Sequence, residues 1–432
     1  MNRTITIAEY GRIQVNDIFQ GVKITPKDIR ELRNFIDEIN TQTSANNSSN
    51  ISDYLRPIRN GVQANNYVGV LQTKSGLTIE ILPKISRTQQ DTQQVKNLFI
   101  DMLRTVKQID GKSFDMSNLN ENKNNILEIF ISMFITEVNR IIKRGLKSDY
   151  TTRRSNEAYL KGKLLIKQQI QTNSVNKAKF YNEFDEFEVD GAENQLIKTT
   201  LNYLLGMSHD AKNQRLIREQ LMYFEKVSLT YHPQVTFQRV SIKRQFQYYE
   251  RALKWAEIFL KRKSFTSFKG SSLAFALLFP MEKVFEAYIA DKMKKAFPDV
   301  QVNTQEQHYF LFDKNEKNKS SYRLRPDIVI RSNQENGNVV IVDTKWKLLK
   351  NDGPSQADLY QMYAYFTRYF HHSEAIQKVV LLYPKSESYD ERIFKSLNFF
   401  DNKSEIGAKI EVKYIDLFSD DIKSRLQQIV MN

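Results

Sequence analysis

Apolar and polar residues alternate over short stretches in the first 93 residues. The alternation runs through ITIAEYGRIQV and through the pair NYVGVLQ and GLTIEILPKI, which TKS separates. A period of two is typical of β-strands, and the short connection ending at Gly76 indicates a hairpin. Residues 40–52, NTQTSANNSSNIS, cannot bury enough apolar surface to order a backbone, so we expect a loop or an insertion there. The pattern predicts a β-rich N-terminal domain over residues 1–93 with a polar insert at 40–52.

The dominant period becomes helical between residues 94 and 264. In ILEIFISMFITEVNRIIKRGL the apolar residues fall on one broad face, and Gly145 suits a helix end. NQLIKTTLNYLLGM and YYERALKWAEIFL show the same period. YLKGKLLIKQQI and FYNEFDEFEVD fit either strands or connections, and the pattern leaves them open. This part is predicted to be mainly helical with a small β component.

The last part of the chain, residues 265–432, alternates helical and strand patterns. MEKVFEAYIADKMKKAF and QADLYQMYAYFTRYF have helical periods, whereas YRLRPDIVIR, GNVVIVDTKW, KVVLLYP and AKIEVKYIDL are typical of strands. Such alternation favours a layered α/β domain. The whole chain is therefore predicted to be an α+β multidomain protein.

Composition narrows the classes of function. Sixty-four Lys and Arg residues against 50 Asp and Glu give a formal net charge of +14, which favours a polyanionic partner such as nucleic acid. The absence of cysteine excludes disulfides, thiolate nucleophiles and zinc sites built on sulfur. No signal-peptide run and no stretch of about 18 uncharged apolar residues occurs. We expect a cytoplasmic protein that does not enter a membrane.

Two acids and a lysine are predicted to meet in the strands of LRPDIVIRSNQENGNVVIVDTKWK. Side chains alternate along a strand, so Asp343 and Lys345 share a face while Thr344 points away. Asp327 opens the preceding strand, and SNQENGN would turn the chain back. Paired carboxylates suit Mg²⁺, and a neighbouring ammonium can orient a water and stabilise charge on phosphorus. The alternative is an ordinary exposed ion pair, with Asp327 capping a turn.

Two helices flank these strands and carry further candidates. The first has an apolar stripe with Glu282 and Glu286 on its border, where Glu286 is either a solvated flank or a metal ligand. The second carries Gln361 and Tyr365, which share a helix face because they are four residues apart. The stripe of the first helix consists of Met281, Val284, Phe285, Tyr288, Ile289, Met293 and Ala296.

The order of a P-D pair, a strand, a turn, an apolar run and D-x-K resembles the PD-(D/E)xK nuclease superfamily. The stretches NYVGVLQTKSGLTIEILPKI, RGLKSDY, YLKGKLLI, FDEFEVDGAENQLIKTTL and MEKVFEAYI, in this order, resemble the McrC family. McrC is the nuclease subunit of the McrBC modification-dependent restriction system, which acts in anti-phage defence. The resemblance extends from about Tyr67 to Gln361. It implies a C-terminal nuclease core with a mixed sheet and a middle region that binds or links to a partner.

The resemblance also implies a set of site residues. Asp327, Asp343, Glu286 and the backbone carbonyl of Thr344 would bind Mg²⁺, with Mn²⁺ as a possible substitute. Lys345 would position the attacking water, and Gln361 belongs to the Q-x-x-x-Y pattern of the following helix. Hydrolysis in this superfamily leaves a 3′ hydroxyl and a 5′ phosphate.

The implied partner is a McrB-type AAA+ GTPase hexamer that moves along double-stranded DNA containing modified cytosine. In that family the N-terminal part of the nuclease subunit enters the ring and stimulates nucleotide hydrolysis. GTP would be bound by the partner and not by this chain. Its one G-K-S triplet, at residues 111–113, has Val106 where a phosphate-binding loop needs glycine.

Two other functions stay open on the sequence. One is a non-catalytic adaptor that stimulates a motor ring, and the other is the nuclease subunit of a restriction system with a different motor. The intact set of Asp327, Asp343 and Lys345 favours a catalyst, because clustered carboxylates without a cation are costly.

Basic residues offer candidate contacts to DNA phosphates. Lys347 lies one strand period beyond Lys345, and Trp346 between them is expected to point into packing. The alternative for the second group of basic residues is a solvated helix flank. That group consists of Arg140, Lys143, Arg144, Lys147, Arg153 and Arg154.

Overall fold

A computed structural model of the protein divides it into two compact units. The sheet unit comprises Arg3–Leu71, Leu77–Asp115 and Leu278–Asn432, and the helical unit comprises Met1–Asn2, Gln72–Gly76 and Met116–Leu277. The division into domains at 1–93, 94–264 and 265–432 stays a prediction, although the first and third of these segments lie largely in the same unit. The structure describes residues 3–46, 54–85, 92–105, 125–175, 177–265, 273–312, 321–332, 338–347, 353–372, 375–385, 391–395 and 407–431.

The N-terminal part of the sheet unit is rich in strands, as predicted. β1 pairs in parallel with β8, and β2, β6 and β5 form an antiparallel sheet in that order. Gly76 has a φ of +84° in the turn between β7 and β8, a conformation that favours glycine. The elements are β1 (Arg3–Ala8), β2 (Arg12–Gln14), β3 (Ile18–Phe19), β4 (Val22–Lys23), α1 (Pro26–Asn46), β5 (Leu55–Ile58), β6 (Gly61–Ala64), β7 (Tyr67–Thr73), β8 (Leu77–Leu82) and α2 (Thr92–Thr105).

The polar insert predicted at residues 40–52 is in part a helix. α1 continues to Asn46, and residues 47–53 lie outside the described residues. Ile29, Leu32 and Ile36 are buried at helical spacing in the first half of α1. Once these residues anchor the first turns, each further residue adds one backbone hydrogen bond, so a polar sequence can extend the helix. The prediction of a loop over residues 40–46 was wrong for this reason.

The helical unit contains six of the eleven helices that the described residues form. The two segments that the sequence left open form β10 with the start of α4, and β11. The strands pair in the order β10-β11-β9, all antiparallel. The elements are α3 (Ile126–Arg144), β9 (Asp149–Glu157), β10 (Lys163–Leu164), α4 (Ile166–Asn173), β11 (Phe180–Glu188), α5 (Ala192–Met207), α6 (Ala211–Tyr223), α7 (Pro233–Gln238), a 3-10 helix (Arg244–Tyr249) and α8 (Glu250–Phe265).

A buried ion pair occupies the helical unit. Lys147 Nζ lies 2.7 Å from Glu193 Oε1, and the Lys147 backbone N–H donates to the hydroxyl of Tyr249 at 2.7 Å. That hydroxyl donates in turn to Asn194 Oδ1 at 2.7 Å. Lys147 is only 9% exposed, so the suggestion that it meets DNA phosphates was wrong. A lysine that faces a buried carboxylate is held inside by its partner.

β12 (Leu273–Pro280) leads the chain back to the sheet unit, where it completes a four-stranded sheet in the order β1-β8-β7-β12. A six-stranded mixed sheet follows in the order β13-β16-β17-β18-β20-β19. β17, β18 and β20 are mutually parallel, and the other neighbours are antiparallel. The remaining elements are α9 (Met281–Ala296), β13 (Gln301–Thr304), β14 (Phe310–Phe312), β15 (Ser321–Arg323), β16 (Ile328–Arg331), β17 (Val339–Thr344), α10 (Gln356–His371), β18 (Ile376–Pro384), β19 (Arg392–Lys395), β20 (Lys409–Ile415) and α11 (Ile422–Met431).

Helices cover this six-stranded sheet. Met362 and Tyr369 of α10 pack with Val329, Ile341 and Leu381 in one buried cluster. α9 contacts β17, and α11 contacts both β20 and α9. The predicted apolar stripe of α9 is confirmed, because all seven of its residues are buried. The fold is thus α+β with mixed sheets, and the strands that carry the candidate residues lie inside it.

Candidate active site

The end of β17 meets the start of β16 at one edge of the six-stranded sheet. The two strands are antiparallel neighbours, with Ile328 opposite Val342, so Asp327 comes beside Asp343 and Thr344. The backbone N–H and the hydroxyl of Thr344 donate to Asp327 Oδ2 at 2.8 and 2.7 Å. The two strands therefore hold the Asp327 carboxylate in place through Thr344, which lies between Asp343 and Lys345 in sequence.

Lys345 lies directly after β17 and contacts both Asp343 and α10. Its Nζ lies 2.6 Å from Asp343 Oδ2 and donates to Gln361 Oε1 at 2.9 Å. Gln361 Nε2 donates to the Tyr365 hydroxyl at 2.7 Å, and that hydroxyl donates to the Arg325 carbonyl at 3.1 Å. The Q-x-x-x-Y pair is thus one part of a hydrogen-bonded chain that fixes the ammonium.

Glu286 of α9 also lies near Asp327, although α9 precedes both strands in sequence. Its carboxylate accepts a hydrogen bond from Lys283 Nζ at 2.9 Å and a second one from Gln305 Nε2. Gln305 Nε2 also lies 3.4 Å from Asp327 Oδ1. The structure thus places Asp327, Asp343, Lys345, Glu286 and Gln361 near one another, and their roles stay predictions.

The charges of the site are not balanced. Burial, together with the charges of Asp343 and Glu286, raises the pKa of Asp327 to about 7, although the two hydrogen bonds from Thr344 oppose the shift. Burial also raises the pKa of Asp343, which is 1% exposed, although Lys345 opposes this shift. Burial acts to lower the pKa of Lys345, but Asp343, with smaller contributions from the charges of Asp327 and Asp358, raises the pKa above its usual value. Lys345 is therefore protonated, and the carboxylates carry excess negative charge.

These residues fit a divalent cation chemically. Carboxylate oxygens are the hard donors that Mg²⁺ and Mn²⁺ prefer, and a cation would relieve the repulsion that raises the pKa of Asp327. Within the described ranges no three Asp, Glu or His side chains form a group that could hold a metal ion. The Thr344 carbonyl as a ligand stays a prediction, since the contacts of Thr344 to Asp327 use its N–H and hydroxyl.

Trp346 and Lys347 follow the site along the chain. Trp346 is buried against Phe285, with ring centroids 5.2 Å apart, so the expectation that it points into packing is confirmed. Lys347 Nζ lies 3.1 Å from Asp358 Oδ2, and about half of its side chain is exposed. It is thus accessible to a ligand while it is held by an acid of α10.

The other basic candidates are largely paired with acids. Arg140 lies 2.8 Å from Glu137, and Arg154 lies 2.6 Å from Glu183. Arg153 contacts Glu186 and Glu188. The predicted phosphate contacts at these arginines stay predictions, and the pairs compete with them. The G-K-S triplet at 111–113 lies outside the described residues.

Sequence reasoning missed two residues of this region. Gln305 bridges two of the acids from the end of β13, and no motif marks it. Glu9 accepts a hydrogen bond from Trp346 Nε1 at 2.9 Å. The only available signal for Glu9 was a charged residue at the end of an alternating strand, which is a common pattern. No helix among the described residues has the length and apolar character needed to cross a membrane.

Comparisons with known proteins agree with the motifs. Residues 62–384 match the family model described as McrBC 5-methylcytosine restriction system component. A half-complex from a tetradecameric assembly of Thermococcus gammatolerans McrB AAA+ hexamers with bound McrC contains a similar chain. The similarity has a TM-score of 0.72 and 21% identity, and it covers 99% of this chain and 100% of that chain.

A cryo-EM structure of the Thermococcus gammatolerans McrBC complex is similar as well. Its TM-score is 0.53 at 21% identity, and the match covers 68% of this chain and 88% of that chain. At such identity these structures show a shared fold. The curated proteins contain no match to this chain. The family model spans most of the sequence, and the chain therefore belongs to the McrBC 5-methylcytosine restriction system component family.

Proposed function

We propose that this chain is the metal-dependent DNA endonuclease subunit of a McrBC-type restriction system. The observation that carries the proposal is the convergence of Asp327, Asp343 and Lys345 at one sheet edge, with Glu286 facing them from α9. Mg²⁺, with Mn²⁺ as its substitute, fits this site. The core would be a PD-(D/E)xK nuclease core, and the protein would work in the cytoplasm.

Each residue has a role that follows from its contacts. Asp327, Asp343 and Glu286 would hold the cation, which when bound polarises the phosphate and lowers the pKa of a water. Lys345 stays protonated beside Asp343, so it orients the attacking water and stabilises negative charge on the phosphate oxygens. Gln361 keeps the ammonium in place by accepting its hydrogen bond. In-line attack at phosphorus would leave a 3′ hydroxyl and a 5′ phosphate.

The proposed partner is a McrB-type AAA+ GTPase hexamer. In Thermococcus gammatolerans, McrB AAA+ hexamers carry bound McrC, and this chain matches the fold over nearly its whole length. GTP would bind to the partner, and the net charge of +14 favours double-stranded DNA as the common substrate. The motor would read modified cytosine and bring the DNA to the site described here.

The first step of the test is to tag this chain in its native cells and identify the proteins that co-purify with it. Recovery of an AAA+ protein supplies the motor for a cleavage assay on methylated DNA with GTP and Mg²⁺. Asp343→Ala should then lower cleavage at least 1000-fold, because it removes a ligand and the counter-charge of Lys345. GTP hydrolysis stimulated by the variant should stay at the wild-type rate.

Asp420→Ala is the matched control, because Asp420 is an exposed aspartate in the turn before α11. It should cleave like the wild type. If Asp343→Ala cleaves at the normal rate, the site is misassigned. If the wild-type complex stimulates GTP hydrolysis and never cuts, the adaptor function is correct instead.

A further inference from the structure

Gln305 has an unusual backbone for a residue with a long side chain. It follows β13 with a φ of +53°, in the left-handed region that residues other than glycine seldom adopt. Its backbone N–H donates to the Asp327 carbonyl at 3.0 Å. Such a conformation is strained for a residue other than glycine and persists only where the surroundings impose it. The backbone of Gln305 is therefore held beside a proposed cation ligand.

Glu306, the next residue, fixes this turn through an ion pair. Glu306 is buried and forms a two-pronged ion pair with Arg331 of β16, with distances of 2.6 and 2.7 Å. Planar pairs of this kind fix both position and orientation. Because β16 pairs with β13, the ion pair and the sheet together define where the Gln305 side chain starts.

The side chain reaches two acids at once. Gln305 Nε2 donates to Glu286 Oε1 and lies 3.4 Å from Asp327 Oδ1. An ionised carboxylate only accepts hydrogen bonds, so the amide presents its nitrogen to Glu286. A single donor nitrogen thus occupies the space between two acids whose repulsion contributes to the raised pKa of Asp327.

The amide group of Gln305 also carries an oxygen, which accepts hydrogen bonds and can bind a cation. Its oxygen is a hard donor of the kind that Mg²⁺ and Mn²⁺ accept, and a half-turn of the terminal torsion exchanges nitrogen for oxygen at the same place. A cation between the acids would repel the N–H₂ group and attract the oxygen. The fixed backbone keeps the start of the side chain beside the acids, so a half-turn of the terminal amide is the smallest movement that brings an oxygen to the cation.

We propose that Gln305 is a further ligand of the cation site, binding through Oε1 once the amide has turned. The proposal rests on the proposed function, since it requires that Glu286 and Asp327 hold a divalent cation. In this arrangement an uncharged oxygen supplies the additional ligand.

The test is Mn²⁺ binding to the full chain, followed by the electron paramagnetic resonance signal of free Mn²⁺. Gln305→Gly removes the side chain and tolerates the left-handed backbone, so the turn is preserved. We expect its Mn²⁺ affinity to fall about tenfold or more. Gln301→Ala, at the other end of β13, is an exposed glutamine and should bind Mn²⁺ like the wild type.

Gln305→Glu gives an independent readout that does not use catalysis. It adds a fourth acid to the cluster, so its melting temperature in EDTA should fall below that of the wild type. Saturating Mn²⁺ should then raise the melting temperature by more than it does in the wild type. Both signs follow only if the side chain faces the cation.

Two results overturn the assignment of Gln305 alone. One is equal Mn²⁺ affinity of the wild type and Gln305→Gly. The other is tighter binding by Gln305→Gly, which would show that the amide competes with the cation. A wild type with no saturable Mn²⁺ binding would instead overturn the cation site itself, and the proposed function with it.

Discussion

Trp346 donates a hydrogen bond from Nε1 to Glu9 Oε2 at 2.9 Å, although the two residues are 337 positions apart in sequence. Glu9 also accepts a hydrogen bond from the Lys84 backbone N–H at 2.9 Å. Trp346 directly follows Lys345 and packs on Phe285, which precedes Glu286. The N-terminal strands therefore support both the lysine and the helix that carries the third acid.

We expect Glu9 to make the stability of the sheet unit depend on pH. Burial raises the pKa of Glu9 from 4.5 to about 7, despite the two hydrogen bonds that it accepts. Between these values the folded chain binds the proton more tightly than the unfolded chain does. The contribution of Glu9 is therefore fully present below pH 4.5 and is lost as the pH rises through 7, a difference of about 3 kcal/mol.

The measurement is the urea midpoint of the wild type and of Glu9→Gln from pH 4.5 to pH 8 in EDTA. Asp327 acts in the same direction, so the prediction concerns the difference between the two proteins. Glu9→Gln should lose less stability over this range, because its amide does not titrate. Parallel pH profiles would contradict the role of Glu9.

Gln361 should act as a positioning residue for Lys345. Gln361→Ala removes the acceptor 2.9 Å from Lys345 Nζ and leaves the ammonium with Asp343 alone. We expect cleavage by the complex with its motor to fall about 10- to 100-fold, as for other supporting groups of metal sites. GTP hydrolysis by the motor should not change.

Tyr365→Phe should have a smaller effect, since it removes only the hydroxyl that supports Gln361. Gln356→Ala is the control, because Gln356 is an exposed glutamine in the first turn of α10. If Gln361→Ala and Gln356→Ala cleave equally well, the hydrogen bond to Lys345 has no catalytic role.

Asp327→Asn should stabilise the protein while it destroys the site. The amide removes one negative charge from the cluster and keeps an oxygen that can accept from Thr344. We expect the free energy of unfolding in EDTA to rise by about 0.5–2 kcal/mol at pH 8. Added Mn²⁺ should no longer raise the melting temperature. A melting temperature below that of the wild type would contradict the electrostatic explanation of the raised pKa of Asp327.

Lys147→Met should destabilise the helical unit strongly. It leaves Glu193 buried without its cation, and removal of one partner from a buried ion pair costs about 3–5 kcal/mol. Lys143→Met, at an exposed position of α3, should change the unfolding free energy by less than about 0.5 kcal/mol. The urea midpoint followed by circular dichroism gives both values, and similar midpoints would show that Lys147 is not a buried partner.

Local sequence patterns predicted the parts of the site that depend on local geometry. Strand alternation placed Asp343 and Lys345 on one face, and helical spacing placed Gln361 beside Tyr365. The apolar stripe of α9 was predicted residue by residue, because burial of that face has a regular period. Each of these relationships extends over a few residues of one element.

Relationships between distant segments were not predictable in the same way. Glu9 and Trp346 are joined across 337 positions of sequence, and neither local pattern contains that contact. The position of the Gln305 side chain depends on a left-handed backbone, and no glycine at this position indicates that conformation in the sequence. Lys147 looked like its basic neighbours because its partner Glu193 lies 46 positions away. A charge pattern gives the sign of the charge on each residue but does not identify the residue with which that charge pairs.

The helical unit is inserted between two segments of the sheet unit, which affects how the protein can fold during synthesis. β1 and β8 leave the ribosome long before the strands and the tryptophan that they support. At about 5–20 residues per second, Trp346 follows Glu9 after roughly 20–70 s. During that time the early strands have exposed apolar faces, and Glu9 lacks the hydrogen bond from Trp346. The helical unit is the first part of the chain that can fold to completion, so a nascent chain would carry a finished helical unit on an unfinished sheet unit.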